Sequence, residues 1–136
     1  MVKALPKVVQ DLFNDPGAVK VLATASPNGV LHVIPLGSLQ APEADKIAFA
    51  KIMAKEASSN LELGLTKGAY ASALAVKGGQ AFQVRCKAKE FDQAGPLFQK
   101  LSDAYKAKGM NVLGVWVLEP VEVLNQSPGP DAGKLM

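Results

Sequence analysis

The stretch KIAFAKIMAKEASSN, residues 46–60, gathers side chains that suit anion binding. A short strand pattern, 46–51, runs directly into a helix pattern. Cationic, hydroxyl and amide groups cluster near the start of that helix: Lys51, Lys55, Ser58, Ser59 and Asn60. Backbone N–H groups and the positive end of the helix dipole can hold a phosphate there. The alternative, which residue types alone favour, is that Ser and Asn cap the helix while the lysines are solvated.

The sequence shows no constellation for catalysis by side chains. Its 136 residues include one histidine, His32, and one cysteine, Cys86, so we predict no four-ligand zinc site and no intrachain disulfide. The glycine pattern of dinucleotide-binding folds and the Walker phosphate loop are both absent. No catalytic residue can be named, and redox chemistry would need a cofactor. We expect His32 to be a hydrogen-bonded structural residue and Cys86 an inert core residue.

A second cationic group alternates along a later strand pattern, at Arg85, Lys87 and Lys89. Such a strand face can contact phosphate, or it can be the solvated side of a half-exposed strand. Proteins that bind single-stranded nucleic acid usually add exposed aromatic residues for base stacking. No aromatic residue shares this face, so we expect no nucleic-acid partner.

Short strands joined by tight turns are the elements that position these groups. Residues 26–29 (SPNG) and 78–79 (GG) have the composition of turns, and each joins two apolar or alternating segments. Strands are predicted over 18–25, 30–39, 46–51, 68–77, 80–91 and 111–118, and helices over 5–13, 54–63 and 96–108. Strands connected by tight turns pair antiparallel, so we predict a mainly β fold, a six-stranded closed or half-open barrel with flanking helices.

Composition fits one globular domain, with 49% hydrophobic and 20% charged residues. We assign this domain to residues 1–124 and treat 125–136, rich in Pro and Gly, as a tail that is loose or held by a partner. No apolar run reaches the roughly 20 residues of a membrane span. The N-terminal residues lack the features of a secretory signal, so we expect no membrane association and a cytoplasmic location. The net charge of +3 favours anionic ligands only slightly.

Three segments resemble the pyridoxamine 5′-phosphate oxidase-like family of FMN-binding split barrels, and its small FMN-binding members in particular. They are LHVIPLGSL, KIAFAKIMAKEASSN and FQVRCKAKEF, and the resemblance spans residues 5–124. It implies a six-stranded antiparallel split β-barrel that forms a homodimer. It also implies one FMN in each of two clefts between the subunits.

The resemblance also implies which positions would hold FMN. The second strand would lie along the flavin ring, and the end of the third strand with the following helix would hold the phosphate and ribityl chain. The matching positions are Ile34, Pro35 and Leu36 for the ring, and Ala50, Lys51, Ile52, Lys55, Glu56, Ala57, Ser58 and Asn60 for the chain and phosphate. Many members carry a hydroxyl residue after the lysine, whereas Glu56 and Ala57 follow Lys55 here. The arginine pattern of the true oxidases is also absent, which argues against pyridoxamine phosphate oxidation.

Two functions follow as hypotheses. The first is an FMN-binding flavoprotein that acts in electron transfer or in reduction of a small acceptor, as an FMN-dependent oxidoreductase would, with an unknown redox partner. The second is a split-barrel dimer that has lost flavin and binds haem or a nucleotide in a non-catalytic or regulatory role. The missing hydroxyl after Lys55 motivates the second hypothesis.

Overall fold

The computed structural model describes residues 2–53, 55–68 and 70–136. Over these residues the chain forms three helices and eight strands. In chain order they are α1 Lys7–Phe13, β1 Val19–Ala25, β2 Leu31–Pro35, β3 Gln40–Glu43, β4 Lys46–Lys51, α2 Lys55–Lys67, β5 Tyr70–Lys77, β6 Gln80–Asp92, α3 Pro96–Lys106, β7 Gly114–Asn125 and β8 Lys134–Leu135. Residues 54 and 69, which the predicted second helix and fourth strand include, lie outside the described residues.

The strands form one antiparallel sheet in the order β2-β1-β5-β6-β7-β4-β3, and β8 pairs with β7. Both predicted tight turns are present, and a glycine with positive φ stands in each, Gly29 at 78° and Gly78 at 59°. The predicted class, an antiparallel barrel with flanking helices, is therefore confirmed. The strand count differs from the predicted six, because β3 and β8 were not predicted.

The two additional strands, β3 and β8, form by pairing with β4 and β7, and the local sequence does not indicate these pairings. β3 lies between the predicted strands 30–39 and 46–51, where no strand is predicted, and it pairs with β4 through Glu43 opposite Lys46. Lys46 Nζ lies 2.8 Å from Glu43 Oε2. β8 folds the tail back onto β7, and there the Met136 amide donates to the Val123 carbonyl oxygen at 2.8 Å. β7 itself runs past the predicted end at 118. Pro120 is accommodated at a register shift against β6, where a strand tolerates a residue without an N–H.

The second helix is longer than predicted. The predicted helix ends at residue 63, but the next residue, Gly64, is buried and helix α2 continues to Lys67. Gly68 follows with a φ of 68°, and its amide donates to the Gly64 carbonyl oxygen at 2.8 Å. The left-handed residue that closes the helix is thus Gly68, and Gly64 lies within the helix on its buried side.

The main core fills the inner face of the sheet beneath α1 and α2. Its largest fully buried side chains include Phe13, Leu22, Phe49, Trp116 and Leu118. A smaller cluster lies on the other side of β4 and β7, where α3 packs on them; it includes Ala48, Ala50, Leu101, Val115 and Val117. β4 and β7 are buried on both faces, and their sequences are therefore nearly continuous apolar runs.

Cys86 and Trp116 both face the main core and are 0% exposed. Burial raises the pKa of the Cys86 thiol well above its ordinary value of 9.0, so the sulfur stays protonated and unreactive in the folded chain. The prediction that Cys86 is a core residue is confirmed. Within the described ranges no helix is long and apolar enough to cross a membrane, and no cluster of His, Cys, Asp or Glu has metal-binding geometry.

Candidate functional site

The ends of β2 and β4 meet at one side of the barrel. The loop after β2 is fixed to β4 by Ser38, whose Oγ accepts a hydrogen bond from the Ala50 backbone N–H at 2.9 Å. The Leu36 amide donates to the Lys20 carbonyl oxygen at 2.9 Å, which continues the β1–β2 pairing beyond the strand end. The first bond holds the end of β2 against β4, and the second holds it against β1.

An open cavity of about 310 Å³ lies where these strand ends meet. It is lined by Ile34, Pro35, Leu36, Gly37, Ser38, Ala50, Ile52, Met53, Tyr105 and Met110. All three residues predicted to contact a flavin ring are among them, together with Ala50 and Ile52. The walls are mostly aliphatic, which suits a planar apolar group with polar edges.

Tyr105 and Met110 belong to this cavity although the sequence did not single them out for it. Tyr105 continues the apolar stripe that Leu97, Phe98 and Leu101 form along α3, and Met110 lies in the connection after that helix. The stripe shows that Tyr105 faces the protein, but only the packing of α3 beside β4 brings it next to β2. No local signal in the sequence identifies Met110.

Lys51 lies next to the cavity but its side chain points elsewhere. Its Nζ is 5.8 Å from the centroid of the Phe91 ring, and its carbonyl oxygen accepts from the Leu113 amide at 2.9 Å. Lys55 is exposed at the first turn of α2, followed by exposed Glu56. Lys55 is therefore the predicted cation that is free to meet a phosphate at the start of this helix.

Ser58 and Asn60 face the interior of the protein, where α2 packs on the sheet. Trp116 Nε1 donates to Ser58 Oγ at 3.1 Å, and Asn60 Nδ2 donates to Thr24 Oγ1 at 2.9 Å. The exposed fractions of Ser58 and Asn60 are 1% and 7%. Ala57 beside them is also buried in the main core. These contacts attach α2 to β1 and β7, so the Ser58 and Asn60 side chains already have internal partners.

His32 occupies the β2 position opposite Thr24. Its Nδ1 atom is buried and has no hydrogen-bond partner among the described residues, contrary to the expectation of a hydrogen-bonded histidine. Leaving such an atom without a partner costs on the order of 1–3 kcal/mol.

A second feature of this side is an exposed apolar surface on β1, β2 and β5, which we call the apolar sheet face. It consists of Val19, Val21, Ala23, Leu31, Val33, Tyr70, Leu74 and Val76. Leu31 and Val33 are 79% and 65% exposed. Pro35 alternates onto the same side of β2 and also lines the cavity, so the two features are continuous. Contiguous apolar surfaces of this kind mark interaction sites.

The cationic stripe on β6 is largely neutralised by its neighbours. Arg85 Nη1 lies 2.8 Å from Glu122 Oε1, and Lys89 Nζ lies 3.8 Å from Glu119 Oε1. The ammonium of Lys87 lies 5.0 Å from the centroid of the Tyr70 ring. The two ion pairs are half-exposed, as on the solvated side of a strand.

The chain is similar in structure to several solved proteins. HupZ from Group A Streptococcus superimposes with a TM-score of 0.76 at 15% identity, over 95% of this chain and 99% of HupZ. An FMN-binding protein from Syntrophomonas wolfei gives 0.72 at 16% identity, over 87% of this chain and 83% of that one. A Lactobacillus delbrueckii protein, provisionally assigned as a pyridoxamine 5′-phosphate oxidase, gives 0.68 at 21% identity, over 91% and 99%.

These similarities establish the fold. The chain has the split-barrel architecture of the pyridoxamine 5′-phosphate oxidase-like proteins, which confirms the fold implied by the sequence resemblance. No family model matches the sequence. No curated protein matches it either.

Proposed function

We propose that this protein is an FMN-binding flavoprotein that acts in electron transfer or in reduction of a small acceptor. The observation that carries the proposal is the cavity at the ends of β2 and β4. The three predicted ring contacts, Ile34, Pro35 and Leu36, line it together with Ala50 and Ile52. One protein with the same fold is an FMN-binding protein.

The residues present suit the two ends of FMN. The aliphatic walls of the cavity would pack against the flavin ring. β2 lies at one end of the sheet, and the backbone groups along its outer edge have no strand beside them among the described residues, so they could meet the polar rim of the ring. At the other end, Lys55 and the backbone N–H groups of the first turn of α2 would hold the phosphate. When bound, the flavin supplies the ability to accept and release electrons.

A homodimer completes this proposal. The cavity of about 310 Å³ is open to one side, so a single chain encloses a ligand there only in part. The apolar sheet face is continuous with the cavity through Pro35. A second copy packed on that face would therefore cover the open side of the cavity and exclude water from the ring.

Flavin binding is tested by the visible spectrum of the purified protein and by titration with FMN and riboflavin. Lys55→Met should weaken FMN binding by about tenfold or more, to the level of riboflavin, and leave riboflavin binding unchanged, because only FMN carries the phosphate. Lys106→Met, which removes an exposed lysine of α3, is the matched control and should change neither affinity. No flavin absorption together with no binding at micromolar FMN would contradict the proposal.

The alternative, a split barrel that binds haem or a nucleotide without catalysis, is favoured by a different observation. Ser58 and Asn60 have internal partners at 3.1 and 2.9 Å, so fewer side chains are free for a flavin phosphate than the resemblance implies. Parallel titrations with haemin and with AMP distinguish the two functions. A spectral or thermal response to either of them, without a response to FMN, would establish the alternative.

A further inference from the structure

Lys20 occupies an unusual place for a lysine. It alternates with Leu22 and Thr24 on the inner face of β1, the side that packs against the core, and it is 9% exposed. Lysine is rarely buried to this degree unless it is paired. Among the described residues no hydrogen bond or ion pair reaches the Lys20 ammonium.

The nearby carboxylate is already used by other groups. Asp15 Oδ2 accepts from Lys77 Nζ at 2.7 Å, and Asp15 Oδ1 accepts from the Gly17 amide at 2.8 Å. Asp15 attracts the Lys20 ammonium at longer range, but desolvation outweighs this attraction and lowers the pKa of Lys20. The positive charge of Lys20 is thus only partly compensated within the chain.

Lys20 lines a cavity of about 460 Å³ at the end of the barrel near α1, separate from the cavity at the ends of β2 and β4. Its lining residues are Phe13, Asn14, Pro16, Lys20, Gly37, Gln40, Ala41, Pro42 and Lys100. They include two cations and no carboxylate. Lys100 is exposed on α3, so it lies at the mouth of the cavity while Lys20 lies within it.

The amides of the cavity are held in fixed positions. Asn14 donates to the Ala41 carbonyl oxygen and accepts from the Ala41 amide, both at 2.9 Å, and Gln40 Nε2 donates to the Ser38 carbonyl oxygen at 3.0 Å. These bonds give the cavity a preformed polar wall. Neither lysine ammonium of the cavity has a hydrogen-bond or ion-pair partner among the described residues, and the ligand that complements two such cations is an anion.

We propose that this cavity is a binding site for a small organic or inorganic dianion, whose anionic oxygens contact Lys20 inside and Lys100 at the mouth. Phosphate esters and dicarboxylates share this chemistry. The site is separate from the proposed flavin site. Gly37 lines both cavities, so a ligand in one lies close to the backbone that shapes the other.

The test uses inorganic phosphate and succinate as separate probes. Binding of each probe is measured at low ionic strength by calorimetry and by changes in the backbone amide chemical shifts. Chloride at matched ionic strength is the control for screening. We expect saturable binding of at least one probe, with shifts at Lys20 and Gly37, and the stronger probe identifies phosphate or dicarboxylate as the source. Lys20→Met should weaken binding by about tenfold or more, and Lys100→Met by a smaller factor.

Lys106→Met removes a lysine of the same helix as Lys100 that does not line the cavity, and it should leave binding unchanged. Lys20→Met replaces a largely buried side chain by an apolar one of similar length, so the variant should fold. Its melting temperature checks this. FMN binding by Lys20→Met should equal that of wild type, which separates this proposal from the flavin proposal. The proposal is overturned if neither probe binds at about 10 mM, or if Lys20→Met binds the probe as well as wild type does.

Discussion

Gly114, the first residue of β7, lies directly against the ring of Phe91. A Cβ atom at this position would lie 2.7 Å from Phe91 Cε1 and Cε2, and closer still to Cζ. The ring cannot move away freely, because its centroid is 4.9 Å from that of buried Trp116. We therefore expect Gly114→Ala to lower the free energy of unfolding by about 1–3 kcal/mol through overpacking.

Urea unfolding followed by Trp116 fluorescence measures this effect. Gly79→Ala is the control, because a Cβ there meets nothing within 4 Å and Gly79 does not have a positive φ. A Gly114→Ala midpoint equal to that of Gly79→Ala would mean that β7 and Phe91 separate more easily than their packing indicates.

The Ser58 hydroxyl could serve either the core or the phosphate of a bound flavin. Its Oγ accepts the hydrogen bond of the Trp116 indole N–H in the core. Removing the hydroxyl leaves that buried donor without a partner, so Ser58→Ala should cost about 1–3 kcal/mol of stability. Exposed Ser59→Ala is the neighbouring control and should be nearly neutral. An unchanged FMN affinity in folded Ser58→Ala would show that Ser58 serves the core, whereas a loss would assign it to the phosphate.

Lys20 also predicts a pH dependence of stability. Burial lowers the pKa of its ammonium in the folded chain below the ordinary value of 10.5, while the nearby Asp15 carboxylate opposes this shift. Between the lowered pKa and 10.5 the unfolded chain binds more protons, so the contribution of Lys20 to the unfolding free energy rises with pH. The difference between wild type and Lys20→Met, measured in chloride buffers, should therefore change with pH in this window. A constant difference would mean that Lys20 is solvated like an exposed lysine.

At the scale of elements, sequence patterns predicted what is local. The two hairpins follow from SPNG and GG turns, and α3 follows from its apolar stripe between Pro96 and Gly109. β3 and β8 could not be predicted, because each becomes a strand only by pairing with a strand whose edge is available in the folded sheet. The length of α2 was missed for a similar reason: Gly64 is a plausible stop by composition, but tertiary packing buries it within the helix.

In the candidate site, too, some features follow from the sequence and others depend on tertiary packing. Ile34, Pro35, Leu36, Ala50 and Ile52 meet at one cavity, as the resemblance implies for two strands that share a ligand. The hydrogen-bond partners of Ser58 and Asn60 stand 58 and 36 residues away in sequence, so residue types alone could not reveal them. Polar side chains near a helix start indicate a possible anion site, but only packing decides which of them face solvent.

The C-terminal tail gives a prediction for a single element. Two hydrogen bonds hold β8 and its flanks on β7: the Gly133 amide donates to the Asn125 carbonyl oxygen at 2.6 Å, and the Met136 amide donates to the Val123 carbonyl oxygen. The Met136 side chain also packs against the main core. Deleting residues 133–136 should lower the free energy of unfolding by about 1–3 kcal/mol. Leu135→Ala, at a side chain that is 66% exposed, should have little effect. A deletion variant as stable as wild type would show that the tail contributes nothing to the barrel.

At the scale of the whole molecule, the apolar residues divide into two populations. One fills the core between the sheet and the helices, and the other forms the apolar sheet face, where Leu31 and Val33 stand largely exposed. A cavity of about 460 Å³ lies on this face between β1, β2, β5 and β6, and its lining is mostly apolar. Covering such a surface with a second copy would contribute about 25 cal/mol for each Å² of apolar area removed from water. The flavin proposal and the dimer proposal thus depend on the same surface.

Val33→Asp tests this dependence, because it places a charge in the middle of the apolar sheet face. Light scattering of wild type should give twice the chain mass of 14.2 kDa, and Val33→Asp should give the single mass, since an unpaired charge is costly to bury in an interface. The monomeric variant should retain its fold and lose at least about tenfold in FMN affinity, because the cavity is no longer covered. Val8→Asp, on the exposed side of α1, should remain dimeric and bind FMN normally. A monomeric wild type that binds FMN tightly would show that one chain encloses the ring, and the cavity at the ends of β2 and β4 would then have to open further to receive it.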